Sequence, residues 1–365
     1  MIGPRLRQDR LPGRAGFMLA VIGPLIAVAL VTALAALVYT DATMKEIVLI
    51  FGINAIMVVG FQAFVGNTGL VSFGHIAFMA VGAYATGITS IPIRDKEIFL
   101  PDLPGFLASM ELDALPSLLV GGAAAALLAL VSGVALMRLS GAAASIATLG
   151  LLVIVVNVLS QATSITHGPQ SLYGVPSYTD FGSVFILLAV AVLLSAAFKW
   201  SSAGLRARAN RDDPMAAEAS GVGPLRARLA PFVLSAFLTG VGGGLYAQLL
   251  TGFSPGSFTI PLVVVVLTMA IVGGINSITG ALIGAATITV LNELLRRVED
   301  GVSIVGTEID APTGISGAVL GIMLIVMLRS RPAGLFSDYE FQFERGAGSA
   351  AGPAAAPPTS VAGDG

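Results

Sequence analysis

From Gly16 to Val38 the chain runs for 23 residues without a charged side chain. A helix needs roughly 20 apolar residues to cross the hydrocarbon of a bilayer. Further apolar stretches follow at 46–65, 72–90, 116–137, 142–160, 181–198, 229–250, 258–272, 277–295 and 311–328, several of them short or broken by Gly. Inside lipid the backbone amides have no water to bond to, so long uniformly apolar runs can only be helices. The sequence predicts an all-α polytopic membrane protein with about ten transmembrane helices. Charged residues make up only 11% of the chain, against roughly 25% in soluble domains. The basic start "RLRQDRLPGR" before the first run resembles a signal peptide, and "ALA" at 33–35 resembles a cleavage site. The run is longer than the roughly 7–15 residues of a signal core, so it reads as an uncleaved first span.

Basic residues set the expected orientation. Arg5, Arg7, Arg10 and Arg14 precede the first span, Arg329 and Arg331 follow the last, and 199–228 holds six basic residues against three acids. The expectation is a multi-pass membrane protein with 199–228 and both termini in the cytoplasm, and 91–115 and 161–180 outside. Arg296 and Arg297 fall on the outer side and count against it. The chain divides into a basic cytoplasmic N-terminus (1–15), a transmembrane domain (16–335) and a tail (336–365). From about 346 the tail is a Gly/Ala/Pro-rich low-complexity stretch expected to be disordered.

Several chemistries are excluded. Lys45, Lys96 and Lys199 are the only lysines and none follows a Gly, so the chain has no P-loop and no ATPase site of its own. With no Cys, and only His75 and His167, there is no thiolate chemistry and no recognisable metal motif. A net charge of −2 gives no field for nucleic acid. The spans hold almost no acids, which argues against an intramembrane enzyme and against an ion-coupled carrier with a buried proton relay. His75 is either packed and hydrogen-bonded or a lone relay. Asn54, Gln62, Asn157, Gln161, Gln248 and Asn276 either mark a polar path or bond helices together.

Small residues punctuate the spans. Gly240/Gly244, Gly280/Gly284 and Gly317/Gly321 each form G-x-x-x-G, a spacing that lets helix backbones touch, either within the chain or between subunits. "GNTGLVSFGHIAFMAVGAYATG" (66–87) and "VGGINSITGALIGAATITVL" (272–291) each open on a Gly-rich break and continue as a small-residue helix. They are either ordinary kinks or the broken helices of an internal repeat with a site between them.

Segment 199–228 carries nine charges. At roughly 2.5–3.5 kcal/mol each at a helix centre, burial in lipid would cost more than about 20 kcal/mol, so it lies outside the bilayer. Within it Asp213 suits an N-cap, Pro214 a first helical turn, and Gly221 or Gly223 a left-handed helix end. A short stiff surface helix of about two turns results.

Four stretches in order carry a resemblance: 66–87, "ATLGLLVIVVNVLSQATSITHGPQSLYGVP", "SSAGLRARANRDDPMAAEASGVGPLRARLAPFVLSAFLTGVGGGLYAQ" and "VGGINSITGALIGAATITVLNELLR". From about 45 to 335 the chain resembles the permease subunits of branched-chain amino acid ABC importers, the LivM-like subunit more than its LivH-like sister. The departures are Leu70 after Gly69, where the family usually has Gln, and "THGPQSL" with His167, Gln170 and Ser171. The resemblance implies a type II ABC importer-like permease fold in the bacterial inner membrane and a sister permease subunit. It also implies two cytoplasmic ATP-binding subunits, which hold the ATP and Mg, and a periplasmic substrate-binding protein. The chain itself would bind no cofactor. The substrate would be a branched-chain or related amino acid, or, as in other members, urea, a short amide or an aromatic acid.

On that resemblance the short surface helix becomes the ATPase-coupling element. Ala216, Ala217 and Ala219 would allow close docking, Glu218 a directional contact, and Arg206, Arg208 and Arg211 a rim, with Asp212, Asp213 and Gly221 shaping the turn. The substrate path is expected along the Gly-broken segments, at Ser72, Gly74, His75, Asn157, Gly274 and Asn276.

Overall fold

The computed structural model describes residues 14–299, 302–304, 307–309, 314–330 and 334, with side chains at 22–299, 314–330 and 334. The basic segment 1–13 and the tail expected to be disordered from about 346 lie outside the described residues. The described residues are all-α apart from one short hairpin. Helices α1 (Arg14–Val38), α2 (Ala42–Thr68), α3 (His75–Ser90), α4 (Ile93–Phe99) and α5 (Gly105–Ala108) come first. Then come α6 (Ala114–Leu136), α7 (Gly141–Gln161), α8 (Thr163–Thr166), α9 (Phe181–Trp200), α10 (Ser202–Asp212), α11 (Pro214–Ala219) and α12 (Pro224–Leu250). Helices α13 (Ile260–Gly273) and α14 (Ile278–Glu299) precede antiparallel strands β1 (Val302–Ile304) and β2 (Thr307–Ile309), and α15 (Ile315–Ser330) ends the series.

Each expected span is helical, but their count as full crossings is corrected. Seven described helices are long and apolar enough to cross, or eight if α3 and α4, bent by 116°, form one broken span. Beyond these, α1 is 25 residues long, enough to cross; for α3 and α15 the shortfall is one of length. At 1.5 Å per residue, the 16 residues of α3 or of α15 reach about 24 Å, short of a hydrocarbon core of about 30 Å.

Helix α12 is the centre of the bundle and packs on α2, α3 and α6. Its small residues make this possible. A Cβ on Gly243 would collide with the Met79 backbone, and one on Gly240 would lie 2.5 Å from the Ala125 Cβ. Gly280 and Gly284 likewise bring α14 onto α13, a Gly280 Cβ lying 2.5 Å from the Gly273 carbonyl oxygen. Two of the three G-x-x-x-G pairs are therefore internal packing. Gly317 and Gly321 have open space around them.

Between α2 and α3 the chain is not helical, and its polar groups are met by side chains. Gly69 ends α2 with φ +69°, the left-handed turn that glycine adopts without strain. Thr68 Oγ1 accepts from Leu70 N (3.2 Å), Ser145 Oγ donates to Val71 O (2.6 Å), Thr148 Oγ1 accepts from Phe73 N (3.1 Å) and Ser72 Oγ accepts from Gly74 N (3.2 Å). Irregular backbone at membrane depth survives only when satisfied in this way. The α13–α14 break repeats the device. Gly274 has φ +116° and Ser277 Oγ accepts from Gly280 N at 3.1 Å.

At the opposite end of the bundle, Lys96 is buried and donates to Leu107 O (3.0 Å) and Met110 O, while Glu111 accepts from Ile93 N (3.1 Å), folding 93–111 into a cap. Asp180 caps α9 in a capping box with Ser183, and those hydrogen bonds hold its carboxyl below the usual carboxylate range. Arg296 and Arg297 both pair with Glu293, at 3.0 and 2.9 Å.

Candidate functional site

The segment between α9 and α12 folds as its local chemistry dictates. Ser201 Oγ accepts from Gly204 N (3.2 Å) to start α10. Asp213 Oδ1 accepts from Met215 N and Ala216 N, both at 3.0 Å, and Pro214 occupies the first turn of α11. The helix ends in a Schellman motif: Gly221 N donates to Glu218 O (2.9 Å), Val222 N donates to Ala217 O (2.9 Å), and Gly221 has φ +82°. Of the two glycines that could end it, Gly221 does so. Gly223 has φ −66° and is the N-cap of α12.

The structure sorts the side chains of this segment into two sets. Met215, Ala216, Glu218 and Ala219 are exposed, as are Arg206, Asp212 and Asp213. Ala217 is not a docking contact, being only 5% exposed. In a helix of under two turns, one residue must face the helices beneath, and Ala217 is that residue. Arg208 and Arg211 do not form a rim either. Arg208 donates to Lys199 O (3.0 Å) and lies 5.1 Å from the Trp200 ring centre, a cation–π contact.

Arg211 joins this segment to both helix breaks. Its guanidinium donates to Gly66 O, one of the carbonyls left without an intrahelical partner at the end of α2. It also pairs with Asp212 at 2.9 Å and reaches Asn276 Oδ1 at 3.5 Å, a long contact. Its methylenes pack on Gly69, where a Cβ would lie 2.8 Å from Arg211 Cγ. From the other end of the segment Lys199 Nζ donates to Asn276 O (3.1 Å). The ends of α2, α9, α10 and α13 thus meet around Arg211 and Asn276. Gly334, beyond α15, lies against Gly274 at the same junction.

The six residues expected along the substrate path are not brought together. Gly274 and Asn276 belong to this junction. Asn157 is exposed on α7, its amide bonded to Val153 O at 2.8 Å. Gly74 faces no path, because a Cβ there would lie 2.5 Å from Thr148 O. Its smallness serves the α3–α7 contact. Ser72 and His75 lie together on either side of Gly74, and both are buried. His75 Nε2 bonds Ser235 Oγ at 2.7 Å, and Phe61, Phe64, Phe78 and Phe232 ring it at 5.0–6.0 Å between centroids. A void of about 10 Å³ between Ser72, His75, Val263 and Val266 holds one water at most. His75 is therefore a packed, hydrogen-bonded residue and the seam between α3 and α13 is shut.

Sequence reasoning missed the Lys199–Asn276 link, the Gly66–Arg211 contact and Ser235 as the partner of His75. The signal that could have found them was the presence of Arg, Lys and Asn beside Gly breaks, where freed carbonyls need donors. No cluster of three metal-ligating side chains occurs among the described residues.

Comparison with known proteins gives concordant matches. Residues 43–328 match the family model described as branched-chain amino acid transport system, permease component. The high-affinity branched-chain amino acid transport system permease protein LivM of Salmonella typhimurium is 28% identical over 345 residues, covering 85% of this chain and 72% of the relative. LivM of Escherichia coli is 26% identical, covering 80% and 68%. The probable permease LivH of Methanocaldococcus jannaschii is 26% identical over 152 residues, 38% of this chain and 48% of the relative. No solved structure matches the chain.

Proposed function

Because the chain belongs to the branched-chain amino acid transport system permease family, we propose that it is one membrane subunit of an ATP-driven importer. In this reading it takes a branched-chain or related amino acid from a periplasmic binding protein and passes it to the cytoplasm. A sister permease completes the pathway, and two ATP-binding subunits beneath 199–228 supply the energy with their ATP and Mg. Both termini lie on the cytoplasmic side. Urea, a short amide or an aromatic acid is the alternative cargo.

The observation that carries the reading is the pairing of an exposed, rigidly capped α11 with the Arg211 junction. A force on Ala216, Glu218 and Ala219 reaches α10, and Arg211 hands it to the ends of α2 and α13. Those helices flank the closed seam at Ser72 and His75, which we take as the route that opens. Asn157, on the exposed face of α7, faces the sister subunit.

The test is reconstitution with the sister permease, ATPases and binding protein in proteoliposomes. Glu218→Lys should insert and assemble normally yet lose leucine uptake and substrate-stimulated ATP hydrolysis. Uptake at the normal rate would remove α11 from the coupling role.

A further inference from the structure

We propose that the open cavity between α10 and the start of α12 binds the headgroup of an anionic phospholipid. The cavity measures about 540 Å³. Its charged lining is Arg206 and Arg226, and its apolar lining includes Val222, Leu225, Ala227 and Ala230. No acidic side chain lines it.

The arginines of this region fall into two groups. Arg208, Arg211 and Arg228 each donate to a backbone carbonyl, of Lys199, Gly66 and Leu139 respectively. Arg206 and Arg226 are exposed, and among the described residues neither is hydrogen-bonded or ion-paired. Arg206 and Arg226, without a partner among the described residues, thus line one cavity and leave their donors open to an anion there. A phosphodiester suits them, since each guanidinium can present two parallel donors to phosphate oxygens. The start of α12 has no side-chain cap, so the positive end of a 27-residue helix adds to the field there.

Depth in the membrane selects a lipid over a soluble partner. The 27 residues of α12 span about 40 Å, while the hydrocarbon core is about 30 Å thick. The surplus places the first turns of α12, with Arg226, at the level of the headgroups. Trp200, ending α9, is the kind of residue that sits at this level. The apolar lining of Leu225, Ala227 and Ala230 continues along the first turns of α12 and suits the glycerol and first methylenes of a lipid. A soluble partner would meet the exposed side of α11 instead. The proposal depends only on the segment lying at the membrane edge, not on which solute is carried.

The test uses the full chain purified in detergent and native mass spectrometry. It is titrated separately with phosphatidylglycerol, phosphatidylcholine and inorganic phosphate. Wild type should retain one phosphatidylglycerol in preference to phosphatidylcholine. Arg206→Gln/Arg226→Gln should weaken that retention on the order of 30-fold, from the usual contribution of two basic side chains at an anionic surface. Arg138→Gln, an exposed arginine at the same end of the bundle but outside the cavity, serves as the control and should leave retention unchanged. Equal retention of both lipids overturns the proposal, as does an unaltered double variant. Retention of inorganic phosphate as tight as that of phosphatidylglycerol would make the site one for a free anion and also overturn it. So would a double variant that keeps its lipid but no longer binds the ATPase subunits.

Discussion

Arg211→Ala should uncouple the protein without unfolding it. The guanidinium satisfies Gly66 O at the end of α2, and its side chain is 30% exposed. A hydrogen bond from a charged donor contributes roughly 1.5–3 kcal/mol, and a cation near a helix C-terminus adds about 0.3–1 kcal/mol. The pair with Asp212 adds little, because that carboxylate is 67% exposed. Losing the strut therefore costs about 2 kcal/mol, a factor of about 30 in an equilibrium. If α10 drives the ends of α2 and α13 through this contact, leucine uptake and substrate-stimulated ATP hydrolysis in proteoliposomes should fall about 30-fold. Basal hydrolysis should persist and thermal unfolding should drop by only a few degrees. Arg211→Lys retains the charge but not the fork and should recover part of the loss. Wild-type uptake by Arg211→Ala would refute the strut. So would parallel loss of basal and stimulated hydrolysis, since that reports a damaged fold and not lost transmission.

Other outcomes follow from packing and caps. Gly243→Val should cost about 3 kcal/mol, because the added carbons meet the Met79 backbone, whereas Gly317→Val, with open space around it, should stay within about 0.5 kcal/mol; thermal unfolding of the purified chain compares them. Asp213→Ala removes the acceptor for two amides of α11 and should cost about 1 kcal/mol locally, read as weaker ATPase binding at normal membrane insertion. With no native Cys, Ser202→Cys and Ser109→Cys, both exposed, should label with an impermeant thiol reagent from opposite sides of the membrane, Ser109→Cys from outside. Labelling of both from one side would refute the proposed topology.

What could be read from the sequence was local. Apolar length marked the helical segments, Asp213–Pro214 fixed the start of α11 and left Gly221 or Gly223 to end it, and Gly69 and Gly274 marked the breaks. Each of these rests on a few adjacent residues whose backbone preferences hold in any surroundings. The count of crossings was less legible, because hydropathy does not reveal that α3 bends away after 16 residues.

Which side of each helix faces inward was decided only by the tertiary structure. Helices α2 and α7 have comparable mean hydropathy, yet 83% of the apolar window of α2 is buried and only 22% of that of α7. That is why Asn157 was misplaced in the sequence reading. In water a helix displays its inward face by making the other polar. Lipid is as apolar as a protein core, so a spanning helix has no such reason to differ from side to side. The contacts that define the junction, Lys199 with Asn276 and Arg211 with Gly66, join residues 77 and 145 positions apart. Their partners are backbone carbonyls, which carry no residue identity for a sequence to display.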